Sequence, residues 1–178
     1  LEDVGVSSRC LGWFKSYLSE RYQAVRIKST LPEKLPVVSG VPQGSILGPL
    51  LFSIYVNDLP SFAKNCSSES YVDDTKLLQY FRINDSIIAL TDLNEDLIRM
   101  RNWCFDNLLL LNPDITKLMV YGSRQMLAKL PDFRFSLLGK ELTLASSVKD
   151  LGVKFDPILS FDNHILLLFH PASQVSAR

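Results

Sequence analysis

Apolar residues recur along this chain at two different periods, and the change of period divides it into elements. Leu90, Leu93, Leu97, Met100 and Cys104 fall three or four positions apart, the spacing that puts side chains on one face of an α-helix. Asp92, Glu95, Asp96, Arg99 and Arg101 lie largely off that stripe. The pattern predicts a helix packed along one side, with Asn84 or Asp85 available to cap its start. Leu11, Phe14 and Leu18 make a shorter stripe, with Ser7 and Ser8 as candidate caps. From Leu47 to Leu59 apolar residues lie nearly all round, which predicts a buried helix. Pro49 suits only a first helical turn, so that helix is expected to begin close to Ser45.

Other stretches alternate at the period of a strand. Tyr22 to Lys28 reads as one, Pro32 and Pro36 bracket a loop, and Val37-Val38 suggests a short strand ahead of Gly40. Pro60 and Ser61 to Ser70 read as a polar connection. Tyr71-Val72 and Thr75 to Tyr80 predict a hairpin carrying Asp73 and Asp74 at its tip. Asn112-Pro113-Asp114 is a turn sequence, followed by a strand over Leu118 to Tyr121. Phe133 to Leu137 and Leu142 to Leu144, parted by Gly139-Lys140, predict a second hairpin. Val148 to Phe155 reads as one more strand, and Asp156-Pro157 turns the chain toward an apolar segment, Ile165 to Phe169. Helices and antiparallel strands mix without regular βαβ units, so the fold class is α+β. A shift near 125–132 divides the chain into expected domains 1–127 and 128–178.

The 178 residues are 47% apolar, enough to fill a core and to exclude wholesale disorder. The formal net charge is +0. Phosphate binding is driven by Lys and Arg displacing counterions, so neutrality argues against strong nucleic-acid binding by this segment alone. A local basic groove stays compatible with it. Cys10, Cys66 and Cys104 are odd in number and widely spaced, and His164 and His170 have no cysteine nearby. Reduced thiols in the cytosol or nucleus follow, with no secretion expected. No apolar run reaches the ~18 residues of a membrane span. Leu1 is not an initiator methionine, so a fragment, a processed product or an incomplete reading is expected.

The candidate chemistry lies in two short runs. Asp73 and Asp74 are adjacent carboxylates, which on a regular strand would face opposite ways. At a turn they can converge, and two carboxylates about 4 Å apart repel by roughly 4 kcal/mol at an effective dielectric near 20. A divalent cation reverses that sign, and magnesium favours a few carboxylates plus water and phosphates. Alone, the pair also reads as a solvated turn. The second run, Gly40 to Pro49, has glycines that let backbone approach a ligand and an amide at Gln43 that both donates and accepts. The helix start that follows presents free N–H groups. Its ordinary reading is a turn that leads into a helix. Trp13 and Trp103 read as core aromatics, and Lys76 as a solvated surface lysine or a phosphate contact.

Gly40-Val41-Pro42-Gln43-Gly44-Ser45-Ile46-Leu47-Gly48-Pro49-Leu50-Leu51-Phe52, then Ile54-Tyr55-Val56-Asn57-Asp58-Leu59-Pro60, resembles the reverse transcriptases of non-LTR retrotransposons, especially the jockey and chicken-repeat-like branches. Tyr71-Val72-Asp73-Asp74-Thr75-Lys76-Leu77 looks like their catalytic box, with Val72 where Ala is usual. Trp13 to Arg21 matches the preceding helix, Trp103 and Asn107 to Asp114 the following motif. Leu151-Gly152-Val153 with Asp156 resembles the primer grip. The resemblance spans about residues 1–165.

It implies part of a right-hand polymerase: a palm over 1–127, its thumb connection over 128–178, and no fingers. Asp73 and Asp74 would hold catalytic Mg2+, with Mn2+ as an alternative. Pro42, Gln43, Gly44, Ser45, Tyr71 and Val72 would face template and nucleotide, and Leu151 and Gly152 the primer end. RNA template, DNA primer and deoxynucleotides would be the partners of a full-length parent. Three departures accompany the likeness. The family's first metal-binding aspartate lies upstream of the helix that opens this chain. Ile115 stands where a lysine is usual, with Lys117 two residues on as a possible phosphate contact. The run Leu166-Leu167-Leu168-Phe169-His170-Pro171 replaces a basic helix. These departures leave open an inactive remnant with at most weak nucleic-acid binding. A maturase relative would share the palm, but Leu59-Pro60 and the Leu-Gly-Val run fit the retrotransposon class better.

Overall fold

A computed structural model describes residues 1–24, 26 and 33–169. In chain order the elements are α1 (Ser8–Leu18), β1 (Arg21–Gln23), β2 (Leu35–Val37), α2 (Gly48–Tyr55), β3 (Ser67–Tyr71), β4 (Asp74–Leu78), α3 (Ser86–Asp106), α4 (Arg124–Leu127), β5 (Phe135–Leu137), β6 (Lys140–Leu142), β7 (Val148–Asp150), β8 (Val153–Phe155) and α5 (Asp162–Phe169). Short 3-10 turns at Leu59–Phe62 and Ile83–Asp85 lead toward β3 and α3. The mixture is α+β, as the sequence pattern predicts. Among the described residues the strands form four two-stranded sheets, β1–β2, β3–β4, β5–β6 and β7–β8, rather than one continuous antiparallel sheet. Strands of three to five residues closed by short turns supply few ladder bonds, so each pair depends on what packs against it. No helix among the described residues is long and apolar enough to cross a membrane.

The chain divides into two compact units, Leu1–Asp58 with Ser70–Thr75, and Leu59–Glu69 with Lys76–Arg178. In the first, Leu11, Phe14 and Leu18 line the half-buried face of α1, as their spacing predicts. Trp13 departs from its expected core role: it is 54% exposed. It stacks on Tyr17, one turn along, with ring centroids 5.3 Å apart and planes at 7°. A tryptophan between two half-buried positions falls on the outer face whatever its hydrophobicity. β1 covers only part of the strand expected from Tyr22 to Lys28; Val25, Lys28 and Pro32 lie outside the described residues. β2 pairs antiparallel with β1, Tyr22 opposite Pro36.

Three expectations for α2 change, the first being its end, at Tyr55 rather than Leu59. It begins at Gly48, not near Ser45, because Pro42–Ser45 and Ser45–Gly48 form two successive turns first. It is also buried on one side only. Gly48 and Leu51 point inward, while Leu50 and Tyr55 are exposed. A run apolar all round shows that a helix can be buried, not which side is covered.

The second unit is built on α3. Phe133, Phe135, Leu137 and Leu142 form a buried cluster on the β5–β6 hairpin, and Leu90, Leu93 and Leu97 pack against it. Each fully buried side chain of this kind stabilises by roughly 1.5–3 kcal/mol. Met100, Trp103 and Cys104 bury the far end of the same stripe, and Phe62 of the 3-10 turn lies 6.2 Å from the Trp103 ring. The helical stripe and the core role of Trp103 are therefore as predicted. Three strand readings shift. β3 begins at Ser67, inside the stretch expected as a polar connection. Leu118 to Tyr121 supplies only an isolated parallel bridge, Leu118 to Leu144. Val148 to Phe155 is a hairpin, not one strand, because Leu151 and Gly152 turn the backbone between β7 and β8. In α5, His164 accepts a hydrogen bond at Nδ1 from the Lys154 amide at 3.4 Å. His170 lies outside the described residues.

Candidate active site

Gly40 to Pro49 is shaped by turn chemistry. The Ser45 amide donates to the Pro42 carbonyl at 3.2 Å, and Gly44 sits at φ +78°. A positive φ at the third of four turn residues is the type II pattern, which glycine adopts without steric cost. The Gly48 amide then donates to Ser45 Oγ at 3.0 Å. A Cβ on Gly48 would stand 3.0 Å from that same oxygen, so the glycine keeps the second turn tight. Gln43 and Gly44 are exposed, and Pro42 and Ser45 half-buried. Gly44→Ala forces an L side chain into the left-handed region, at a cost of about 1–2 kcal/mol. Urea denaturation should show that loss, and an unchanged midpoint would contradict the turn assignment.

The loop is tied down by a residue that sequence reasoning passed over. Arg21 donates to the Leu18 carbonyl from Nε at 2.9 Å. Its Nη2 reaches the carbonyls of Gly40 at 2.5 Å and Ser39 at 3.4 Å. One planar fork thus joins the C-terminus of α1 to the start of the loop. A lysine, with a single charged nitrogen, could not bridge all three carbonyls.

The acidic hairpin turns one residue earlier than expected. Val72 and Asp73 are the two turn residues, while Asp74 opens β4. Ser70 and Thr75 hydroxyls hydrogen-bond across the strands at 3.1 Å, which fixes the pairing next to the turn. Val72 sits at φ +56°, a genuine outlier for a β-branched residue. Positive φ at the first central residue alone is the sign pattern of a type II′ turn. Tyr71, Val72, Asp73 and Asp74 are all exposed. The tip, Ser70–Thr75, belongs to the same compact unit as Gly40 to Pro49. Two exposed, adjacent carboxylates are hard oxygen donors of the kind a divalent cation takes with water and phosphate. Among the described residues no group of three or more His, Cys, Asp or Glu comes together as a metal site.

The segment that leads into β3, Lys64 to Cys66, is held by Asp96, whose side chain is 0% exposed. The alternation of polar and apolar positions put it off the buried stripe, and the structure reverses that reading. Its carboxylate accepts from the backbone amides of Lys64 at 3.0 Å, Asn65 at 2.8 Å and Cys66 at 2.7 Å. It also pairs with Arg99 on the same helix. Burial pushes its pKa up, but the donated hydrogen bonds from Lys64, Cys66, Asn65 and Arg99 outweigh that and hold it below the ordinary value. The opposite happens at Cys66, where burial and the Asp96 charge push the thiol up to about 12.

In the second unit, Leu151 at φ +44° and Gly152 at φ +91° form the turn between β7 and β8. Two successive positive φ values are the type I′ signature, suited to the twist of a hairpin. Leu151 is exposed at its tip. Lys76 of β4 is not solvated as expected: it pairs with Asp150, the last residue of β7, at 2.6 Å. Ile115 lies in a turn rather than on a strand, so alternation does not carry Lys117 to its face. Lys117 is exposed and donates to the Asp114 carbonyl at 3.2 Å. Asn112 Oδ1 accepts from the Asp114 amide at 2.9 Å, as the Asn-Pro-Asp turn predicts.

The sequence family described as "Reverse transcriptase (RNA-dependent DNA polymerase)" matches residues 1–155. The chain is 31% identical over 161 residues to the probable RNA-directed DNA polymerase from transposon BS of Drosophila melanogaster, covering 86% of this chain and 17% of that protein. It is 30% identical over 159 residues to the RNA-directed DNA polymerase from mobile element jockey of the same species, covering 85% and 17%. A shorter match, 51% over 49 residues, joins 28% of it to 5% of the probable RNA-directed DNA polymerase from transposon X-element. The chain thus spans about a sixth of the length of the first two relatives. No solved structure matches it.

Proposed function

The chain belongs to the reverse transcriptase family, and from that premise we propose that it is the palm segment of a non-LTR retrotransposon polymerase. In this reading, residues 1–127 form the palm and 128–178 its connection to the thumb. The observation that carries it is local. The Gly40 to Pro49 loop and the Tyr71 to Asp74 tip fall in one compact unit.

Asp73 and Asp74 would hold divalent cations, magnesium or manganese. When bound, such cations neutralise phosphate charge and lower the pKa of an attacking hydroxyl. The chain's own residues supply the rest. The exposed Gln43 amide and the Gly44 backbone offer donors and acceptors to a template–nucleotide pair, with no Cβ at Gly44 to obstruct approach. Ser45 Oγ accepts the Gly48 amide, so Ser45 shapes the loop while Gln43 is left to meet a base. Tyr71, 62% exposed, offers a ring face beside the carboxylates for stacking. Leu151 and Gly152 would touch the primer end, the leucine through its apolar tip and the glycine through backbone. The product is a DNA strand copied from RNA, one deoxynucleotide at a time.

A second reading keeps the fold and drops the activity. A net charge of +0 gives little counterion release, and Ile115 stands where the resembling motif carries a lysine. In that reading the chain binds nucleic acid weakly and copies nothing. The two readings part in one assay. A polypeptide carrying this chain with the rest of its polymerase should extend a DNA primer on RNA when magnesium is present, and stop when it is chelated. Extension that ignores the chelator, or none at any cation concentration, would overturn the polymerase reading.

A further inference from the structure

The Lys76–Asp150 pair joins two hairpins that are far apart in sequence. Lys76 lies on β4, two residues after Asp74. Asp150 ends β7 and immediately precedes the Leu151–Gly152 turn. Nζ and Oδ2 are 2.6 Å apart, with the two side chains 33% and 27% exposed. That partial burial matters, because fully exposed pairs contribute little and are screened by salt. Tyr121 borders the same group: burial raises its pKa first, followed by the Asp150 charge, against Lys76. Its ring meets Phe155 of β8 edge-on at 6.4 Å. Phe155 in turn meets Phe161 at 5.6 Å. The ion pair is thus partly shielded from solvent, with Tyr121 close enough to feel its charges.

β7 and β8 are three residues each. So short a hairpin has little stability of its own and takes its position from neighbouring groups. We propose that Lys76 and Asp150 are positioning residues, an ionic tether that seats the β7–β8 hairpin on the stem of the acidic hairpin and thereby places the Leu151–Gly152 turn for the primer end. The tether itself stands on geometry alone. Its role toward the primer rests on the polymerase reading.

Charge reversal tests both parts. In the chain itself, Lys76→Glu and Asp150→Lys should each speed amide exchange across Val148–Phe155 by about five- to tenfold, as the pair becomes like-charged. The double swap restores the attraction and should return exchange to near the wild-type rate. Single variants that exchange like wild type, or a double variant no better than the singles, would overturn the tether. In the polymerase carrying this chain, Asp150→Lys should raise the KM for primer–template by a similar factor with kcat little changed, and adding Lys76→Glu should rescue that KM. Tethered exchange with an unmoved KM would overturn the primer role. A wild-type polymerase that fails to extend any primer would instead sink the underlying reading, with the exchange result still standing.

Discussion

Asp96→Ala is expected to destabilise the chain by about 3–5 kcal/mol, the range seen when one partner of a buried charged network is removed. The substitution leaves three backbone amides, those of Lys64, Asn65 and Cys66, without their acceptor, and unsatisfied buried donors carry the full cost of desolvation. It also leaves Arg99 without one of its two carboxylates, although Glu95 still accepts at 2.9 Å. Asp96→Asn should recover only part of the loss, since an amide turns an N–H toward donors. Acid should reproduce the effect. The Asp96 carboxyl titrates below its ordinary value of 3.8 in the folded chain. Its contribution is therefore complete above the unfolded value and disappears as pH falls through the lower, folded one. Urea midpoints taken from neutral pH down toward pH 3 should drop in wild type and drop less in Asp96→Asn. Equal slopes, or an Asp96→Ala midpoint like wild type, would show that this carboxylate does not anchor β3.

Asp73→Asn combined with Asp74→Asn should do the reverse: leave folding alone and remove activity. Both side chains are exposed, Asp73 in the turn and Asp74 at the start of β4, and surface changes of this kind stay within about 0.5 kcal/mol. Primer extension by a polymerase carrying the double variant should fall by about a thousandfold or more, equivalent to roughly 4 kcal/mol of lost transition-state stabilisation. A single-turnover assay at saturating primer–template separates this loss from weaker binding. If the double variant kept its rate, the carboxylates would be ordinary turn residues. On these expectations Asp96 governs stability and the proposed metal-binding pair governs activity.

The chain's periodicity was a good guide wherever packing follows a stripe. The apolar positions of α3 and the Asn-Pro-Asp turn lie where spacing puts them, because helix and turn geometry are local. Asp96 was hidden for the opposite reason. A carboxylate in a helix reads as solvent-facing unless one knows that three amides arrive from some thirty residues upstream, and no local pattern encodes that. Arg21 and Asp150 were missed alike, as their partners at Gly40 and Lys76 are distant in sequence. The one available hint for Asp96 was its place in the crowded run Asp92, Glu95, Asp96, Arg99, where a solvated face needs fewer charges. Tip geometry also escaped the sequence. Val72 is an unusual choice for a left-handed backbone, so propensity placed the turn one residue late. The order of the motifs, by contrast, was plain, and Gly44 is a residue type that its backbone demands.

The acidic hairpin crosses between the two compact units, its strand ends in one and its tip in the other. Anyone wishing to express either half as a separate polypeptide therefore faces a topological obstacle. A cut at Asp58 strands Ser70–Thr75 with the wrong piece, and a cut after Thr75 takes Leu59–Glu69 along with it. Useful truncations will have to come from the outer ends, trimming around an uncut middle.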